Sequence, residues 1–180
     1  MKKFLAAMAA AAFLTASSSL VSAAEFKDIP QNHWAYPKVT AMLNAGIIEG
    51  YGDGSYRGDR NITCTEFAKM AGKLLVKVSP NSAADAKKII EDSSSDKPVT
   101  RYEIALICSK VYTKVKGDVS AAPNAFSDVP DSHWAANAVN LMAATKVMEG
   151  YGDGTFKGDR NMTRYEAALT LYSLYDKLSK

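Results

Sequence analysis

The segment "EGYGDGSYRGDRN", Glu49 to Asn61, returns almost unchanged as "EGYGDGTFKGDRN", Glu149 to Asn161. The two copies lie one hundred positions apart and are rich in glycine and charged residues. The similarity extends without a gap over Phe26 to about Val78 and over Phe126 to Leu178. Self-similarity at a fixed period is typical of repeated structural units. Such repetition favours a scaffold or a binding surface, because a catalytic centre is usually built once.

Each repeat divides into a helix, a loop and a second helix. After His33 or His133, apolar residues at helical spacing predict a first helix, which Gly46 would end in repeat 1. The Gly/Asp loop follows, and its glycines permit a tight turn between helices. A second helix is predicted to start at Thr63 or Thr163. The apolar positions of the first helices are Trp34, Val39, Met42, Leu43, Trp134, Val139, Leu141 and Met142.

The second helix of each repeat opens with a Thr-x-x-Glu capping box, and a third box lies between the repeats at Thr100 and Glu103. After each Glu, apolar residues fall in the same register, which predicts three helices that share one core. The middle unit lacks the aromatic opening and the Gly/Asp loop. One further helix is predicted there, from Ala83 to Glu91. The other two boxes are Thr63 with Glu66 and Thr163 with Glu166.

The first 23 residues, "MKKFLAAMAAAAFLTASSSLVSA", predict a secretory signal peptide, with two lysines, an apolar run and small residues before the cleavage site. The chain has 22 Lys+Arg and 19 Asp+Glu. Removing Lys2 and Lys3 leaves 20 against 19, a charge of about +1. That balance does not predict a nucleic-acid footprint. We expect an exported protein with no membrane span after cleavage.

Metal sites, cofactors and catalysis are not predicted. Cys64 and Cys108 suggest either a disulfide or buried free thiols. The two histidines, His33 and His133, fit the start of a helix better than a metal site. The Gly/Asp loop does not fit an EF-hand, since the twelfth position counted from Asp53 is a cysteine. No nucleophile elbow, phosphate loop or His-Glu-x-x-His motif is present in the sequence.

Four motifs in a fixed order carry a resemblance to a known family. Phe-x-Asp-Ile/Val, His-Trp-Ala, Gly-Tyr-Gly-Asp-Gly-Ser/Thr-Tyr/Phe and Thr-Arg-x-Glu together resemble the S-layer homology (SLH) motif. Repeats 1 and 3 match throughout, and the middle unit matches in its Thr100–Glu103 helix. The segment "GYGDGTFKGDRNMTRYE" is most similar to SLH modules at the N-termini of outer-membrane porins.

The resemblance implies a mostly α fold, a helical pseudo-trimer with three capped spindle helices, Gly/Asp loops and a degenerate middle repeat. It divides the chain into a signal peptide at 1–23, repeat 1 at 24–78, a degenerate repeat 2 at 79–117 and repeat 3 at 118–180. The implied location is the cell envelope, in the periplasm or on the cell surface.

The implied function is non-covalent, non-catalytic binding to the cell wall. The ligand would be peptidoglycan, including amine-decorated forms, or a secondary wall polysaccharide, often pyruvylated. Cys64 stands where the family has Arg, which leaves one groove in doubt. The alternative is a structural or adaptor protein that uses the SLH fold to assemble with an envelope protein partner. The groove residues carried over by position are Asp28, Trp34, Asp53, Arg101, Asp128, Trp134, Asp153 and Arg164.

Elementary physical chemistry gives these residues other roles. Arg101 and Arg164 fall in the first turn of a helix, where a cation opposes the helix dipole. Either an anionic ligand compensates them, or each is a surface arginine paired with a nearby acid. We expect Trp34 and Trp134 to pack in the core with a partly exposed edge. We expect Asp53 to hydrogen-bond its own turn.

Overall fold

The described part of the chain is built from helices. The computed structural model describes residues 26–119 and 123–180, and the predicted signal peptide lies outside them. No β-strand occurs among these residues, and the predicted mostly α fold class is confirmed. A short 3-10 helix, Pro80–Ser82, leads into the third α-helix. The six α-helices are α1 (Tyr36–Asn44), α2 (Cys64–Val78), α3 (Ala83–Asp92), α4 (Arg101–Lys116), α5 (Ala136–Ala144) and α6 (Arg164–Leu178).

The three long helices, α2, α4 and α6, all begin with the predicted capping box. At α2 the Glu66 backbone N–H donates to the Thr63 hydroxyl over 3.2 Å, and the Thr63 N–H donates to the Glu66 carboxylate over 2.9 Å. Each box satisfies two backbone N–H groups that a helix start leaves unpaired. The same reciprocal bonds join Thr100 with Glu103 and Thr163 with Glu166.

The short helices α1 and α5 also start and end alike. The Ala35 backbone N–H donates to Nδ1 of His33 over 3.3 Å, and Ala135 donates to His133 over 3.2 Å. After α1 the chain turns at Gly46, with φ 73°, in the left-handed conformation that suits glycine. After α5 the same turn is made by a lysine, Lys146, with φ 59°.

The long helices meet at the centre of the molecule, where each contacts the other two. The residue two positions before each helix lies in a closed ring of backbone hydrogen bonds. Ile62 donates to Met162 over 3.0 Å, Met162 to Val99 over 3.0 Å, and Val99 to Ile62 over 2.9 Å. All three residues are buried. The ring therefore fixes the starts of α2, α4 and α6 beside one another.

The short helices pack on the long helices of other repeats. In repeat 1, α1 packs against α6, and in repeat 3, α5 packs against α4. In the middle unit, α3 packs against α2 in the same way. The middle unit thus retains both of its helices and lacks the loop between them. Because the short helix of each repeat packs on the long helix of another, the three units share one core.

Both cysteines are buried free thiols, so the free-thiol interpretation of Cys108 is confirmed. Burial raises the pKa of the Cys108 thiol, which keeps it protonated and unreactive. Within residues 26–119 and 123–180, no helix has the length and apolar character needed to cross a membrane.

Candidate functional site

The aspartate of the Gly/Asp loop closes the loop on itself. Asp53 accepts hydrogen bonds from the Ser55 hydroxyl over 2.6 Å and the Ser55 backbone N–H over 2.9 Å, and it pairs with Arg57 over 2.9 Å. These bonds hold the pKa of the Asp53 carboxyl well below its usual range, and the bond from the Ser55 hydroxyl contributes most. Asp53 therefore stabilises its own turn, as expected. Asp153, Thr155 and Lys157 repeat the arrangement.

The aspartate of the Phe-x-Asp motif holds the far side of the same loop. The two carboxylate oxygens of Asp28 accept the successive backbone N–H groups of Tyr56 and Arg57 over 2.8 and 2.7 Å. Arg57 has φ 54°, a left-handed conformation uncommon for a residue with a side chain. The carboxylate thus fixes a turn that the backbone alone would disfavour. Asp128 makes the same contacts with Phe156 and Lys157.

An arginine from another repeat crosses the base of each loop. Arg164, at the start of α6, donates from Nε to the Tyr56 carbonyl and from Nη2 to the Glu49 carbonyl, each over 3.0 Å. Its guanidinium lies 4.7 Å from the Tyr56 ring centroid. The side chain ties together two loop positions that lie more than one hundred residues from it in sequence. Arg101 makes the same bonds to the carbonyls of Phe156 and Glu149 over 2.9 and 2.8 Å.

Both arginines are buried. Arg164 is 3% exposed and Arg101 is 8% exposed, so the alternative of a surface arginine is wrong for both. Nη1 of Arg164 lies 3.8 Å from the Glu66 carboxylate, which also pairs with Arg60. No carboxylate of the described residues lies within 4 Å of the Arg101 guanidinium. Burial accordingly lowers the pKa of Arg101.

Two open grooves lie beside these arginines. Groove 1 has a volume of about 1080 Å³ and groove 2 of about 330 Å³. Each lies between the end of a first helix, the long helix of the same repeat and the arginine of another repeat. Groove 1 is bounded by residues 45–51, α2, α3 and Arg164. Groove 2 is bounded by residues 146–149, α6, Lys38 of α1, and Arg101.

The tryptophans stand at the surface. Trp34 is 61% exposed and Trp134 is 60% exposed, which makes the expectation of core packing wrong. The Trp34 ring rests edge-on against Tyr165 of α6, with ring centroids 5.6 Å apart, and His33 supports the same tyrosine at 4.6 Å. One face of the indole therefore stays in solvent on a rigid aromatic base. Trp134 has the same relation to Tyr102 and His133.

These contacts define two equivalent sites. In each, aromatic rings run from the exposed tryptophan through a tyrosine of a long helix to the loop and its arginine. Site 1 comprises Trp34, Tyr165, Tyr56, Arg164 and Tyr51. Site 2 comprises Trp134, Tyr102, Phe156, Arg101 and Tyr151.

The two repeats that build these sites also match a known family model. The model of the S-layer homology domain matches residues 25–68 and 125–168. The chain is an S-layer homology domain protein. The two SLH matches contain Asp28 and Asp128, the tryptophans and the loops of both sites, together with Arg164. Arg101 and Tyr102 come from the middle unit, which lies outside the two matches.

Curated relatives share the SLH segment within much longer chains. Outer membrane protein SlpA of Thermus thermophilus is 49% identical over 55 residues, 31% of this chain and 6% of its own length. Cell surface glycoprotein 1 of Acetivibrio thermocellus is 33% identical over 131 residues, 73% of this chain and 4% of its own. The cellulosome-anchoring protein of the same organism is 39% identical over 85 residues, which are 46% of this chain and 19% of its own length. The chain thus spans less than a fifth of each of these relatives.

The third position around the SLH core lacks the parts of such a site among the described residues. Cys64 and Thr65 occupy there the places of Arg164 and Tyr165. Their backbone N–H groups donate to the carbonyls of Lys97 and Ser95, over 3.1 and 3.0 Å. In the other two positions these bonds end on the arginine and the last glycine of a Gly/Asp loop, Arg60 and Gly58 or Arg160 and Gly158. An arginine at position 64 would donate hydrogen bonds to the carbonyls of a loop that the middle unit lacks. The missing arginine and the missing loop therefore belong to the same position.

The structure brings four of the predicted SLH site residues into sites 1 and 2, namely Trp34, Arg164, Trp134 and Arg101. Asp28 and Asp128 hold the loops of these sites through backbone N–H groups. Asp53 and Asp153 lie at the loop tips and bond within their own turns. The tyrosines Tyr102 and Tyr165 were not predicted as site residues. Their signal was present, since both Thr-Arg-x-Glu boxes have Tyr at x, whereas the box that lacks Arg has Thr65. No cluster of His, Cys, Asp or Glu side chains in the described chain is arranged to hold a metal ion.

Proposed function

We propose that this protein binds a polymer of the cell wall through sites 1 and 2, without catalysis, and thereby holds itself at the wall. The location is the cell envelope, and the relatives named above are outer-membrane, cell-surface and anchoring proteins. Some relatives that share the segment are enzymes, so the segment accompanies proteins of differing chemistry. That distribution supports a binding module. The proposed polymer is peptidoglycan or a secondary polymer attached to it.

The exposed tryptophan pair is the observation that carries this proposal. An indole of this exposure keeps a large apolar surface in water until a ligand covers it, and both repeats hold their tryptophan on a tyrosine in the same way. The flat face of Trp34 suits the C–H face of a sugar ring. Tyr165 and His33 hold the indole in place, so little side-chain freedom is lost on binding.

The charged residues have positioning roles in this proposal. Asp28 and Arg164 hold the loop of site 1 from opposite sides, and Asp53 stabilises its tip. The remaining edge of Arg164 faces groove 1, where it adds a cation beside the ligand. Asp128, Asp153 and Arg101 play the same parts at site 2 and groove 2.

Two sites on one rigid core suit a repetitive polymer. Once one site has bound, the second meets the same polymer at a high effective concentration. Linked sites of this kind strengthen binding by about 10²- to 10⁴-fold over one site alone. We propose the repeat boundaries 24–78, 79–117 and 118–180 for the binding unit, with 1–23 as the export signal. Because α1, α3 and α5 each rest on another repeat, the three parts act as one unit.

The test is co-sedimentation of the protein lacking residues 1–23 with isolated wall sacculi. We expect the wild-type protein to pellet and the double variant Trp34→Ala/Trp134→Ala to remain mostly in the supernatant. The two single variants should bind more weakly than wild type, because each retains one site. Repeating the assay after stripping secondary polymers and amine groups from the sacculi identifies the polymer bound.

A matched control separates loss of the ring from loss of apolar surface. Val119 is an exposed apolar residue that belongs to neither site, and Val119→Ala should pellet like wild type. Trp34→Phe/Trp134→Phe keeps an aromatic ring and should retain part of the binding. Wild-type protein that stays in the supernatant with every preparation would contradict the proposal and favour assembly with an envelope protein.

A further inference from the structure

Both Gly/Asp loops end in a sequence motif that the wall-binding sites do not use. Residues 59–63 read Asp-Arg-Asn-Ile-Thr, and residues 159–163 read Asp-Arg-Asn-Met-Thr. Asn-x-Ser/Thr, with any residue except proline at x, is the acceptor motif for N-linked glycosylation of exported proteins. The chain has eight asparagines, and Asn61 and Asn161 are the two that stand in this motif.

The side chains of Asn61 and Asn161 are available for modification, because both residues are exposed. Their hydrogen bonds use the backbone. The Asn61 carbonyl accepts from the Arg60 side chain over 2.9 Å, and the Asn161 carbonyl accepts from Arg160 over 3.2 Å. No group of the described residues bonds to either side-chain amide. The side-chain amide of Asn124, by contrast, donates to a backbone carbonyl of its own repeat.

The fold does not require an asparagine at either position. Each asparagine stands two residues before a capping threonine, and its backbone pairs with the capping threonine of another repeat. In the middle unit, Pro98 stands at the equivalent place and pairs in the same way. A proline has neither a side-chain amide nor a backbone N–H, so this place in the fold needs neither. The capping boxes account for the threonines of the motif and leave Asn61 and Asn161 unexplained.

A sugar chain on either asparagine would leave the two grooves open. Neither Asn61 nor Asn161 lines groove 1 or groove 2. Each is the neighbour in sequence of a residue of the buried backbone ring, Ile62 or Met162, beside which the long helices begin. The two attachment points therefore lie at the same end of the helical core.

We propose that Asn61 and Asn161 are N-glycosylation sites, and that each takes an oligosaccharide from a polyprenyl-pyrophosphate donor through an oligosaccharyltransferase of the cell envelope. The Nδ2 nitrogen of the asparagine forms a bond to the anomeric carbon of the first sugar. The bond from that carbon to the pyrophosphate oxygen breaks, and the lipid pyrophosphate leaves with the electron pair. A base of the transferase takes one amide proton, and nothing is oxidised or reduced. The inference does not depend on the proposed wall binding.

Sugar transfer has to precede folding. In the folded chain Ile62 is buried and bonded in the backbone ring, and the Thr63 hydroxyl accepts the Glu66 N–H over 3.2 Å. Met162 and Thr163 are held in the same way. An enzyme that recognises all three residues of the motif therefore meets the exported chain before the repeats close around their core.

The test is mass spectrometry of the protein purified from the cells that make it. Cleavage after lysine releases residues 39–69, which contain Asn44 and Asn61, and residues 158–177, which contain Asn161. Asn44 is an exposed asparagine outside the motif and serves as the internal control. We expect both peptides to carry the added mass of sugar residues and to release sugar fragment ions. Fragmentation that keeps the glycan attached should place it on Asn61 and Asn161.

Two variants separate the motif from the fold. Asn61→Gln keeps an amide but breaks the motif, so the sugar should be lost from residues 39–69 and kept on residues 158–177. Thr63→Asp keeps a good helix N-cap residue and removes the hydroxyl of the motif, so it should lose the same sugar. Asn44→Gln should leave both peptides modified. Unmodified peptides from the wild-type protein, or a sugar that remains on residues 39–69 in either variant, would overturn the inference.

Discussion

Replacing Arg164 by alanine should destabilise the fold more than it affects any contact with a ligand. The side chain is 3% exposed and donates to the carbonyls of Tyr56 and Glu49, each over 3.0 Å. Hydrogen bonds to a charged group contribute about 1.5 to 3 kcal/mol each, and truncation leaves both carbonyls without their donor. Stacking on the Tyr56 and Tyr51 rings is lost as well. Removing the buried charge offsets part of this loss, so we expect Arg164→Ala to lower the free energy of unfolding by about 3 to 5 kcal/mol.

Urea unfolding followed by circular dichroism measures this change. With a slope of about 1 to 3 kcal/mol per molar urea, the midpoint should fall by one molar or more. Arg164→Lys keeps the charge and has no planar fork to bond both carbonyls, so it should lie between the alanine variant and wild type. Arg101→Ala should resemble Arg164→Ala, because it removes the equivalent pair of bonds.

Arg57→Ala is the control, since Arg57 is an exposed arginine of the same loop that pairs at the surface with Asp53. We expect it to leave the unfolding midpoint almost unchanged. An Arg164→Ala protein that unfolds at the wild-type midpoint and fails to bind sacculi would refute the reasoning. That outcome would show that Arg164 contacts the ligand and does not hold the loop.

Three further predictions test the architecture. Gly158→Ala should cost about 2 kcal/mol or more, since the added Cβ would lie 2.0 Å from the Tyr102 ring, while Gly152→Ala, with nothing within 4 Å, should be close to neutral in the same urea experiment. Cys64→Arg should lower the free energy of unfolding by about 2 kcal/mol or more, because position 64 is 6% exposed and faces no Gly/Asp loop; a stabilised variant would contradict the conclusion that an arginine here needs the loop that the middle unit lacks. Burial alone would raise the pKa of Glu66, but hydrogen bonds from Arg60 and the Thr63 N–H outweigh it and lower the pKa. This carboxylate therefore adds stability above about pH 4 that is lost as the pH falls below it, and Glu66→Gln should flatten the fall in melting temperature between about pH 5 and pH 3.

Local signals in the sequence were sufficient to predict the helices. The three Thr-x-x-Glu boxes form as predicted because every bond of a box joins residues three positions apart. The turn of Asp53 with Ser55 is equally local. The predicted helix Ala83–Glu91 is observed as Ala83–Asp92.

The sites were harder to predict because their contacts cross between repeats. Arg164 bonds to carbonyls 108 and 115 residues away, and nothing local in the sequence indicates that pairing. Trp34 falls on an apolar register, but it precedes α1 and lies over Tyr165, so it stays exposed. The effect of having Cys64 in place of an arginine likewise depends on which loop each arginine bonds to. Knowing that loop requires the order in which the three units pack around the core.

The most direct test of the account uses the tryptophans as reporters of the sites. The chain has two tryptophans, one at each site, so Trp34→Phe and Trp134→Phe each leave one reporter. Each single-tryptophan protein is titrated with soluble fragments released from sacculi, while emission and acrylamide quenching are recorded. The account predicts saturable emission changes and protection from quenching in both proteins. Unchanged emission and quenching in both proteins, with fragment binding still detected by calorimetry, would contradict it, since the ligand would then lie elsewhere.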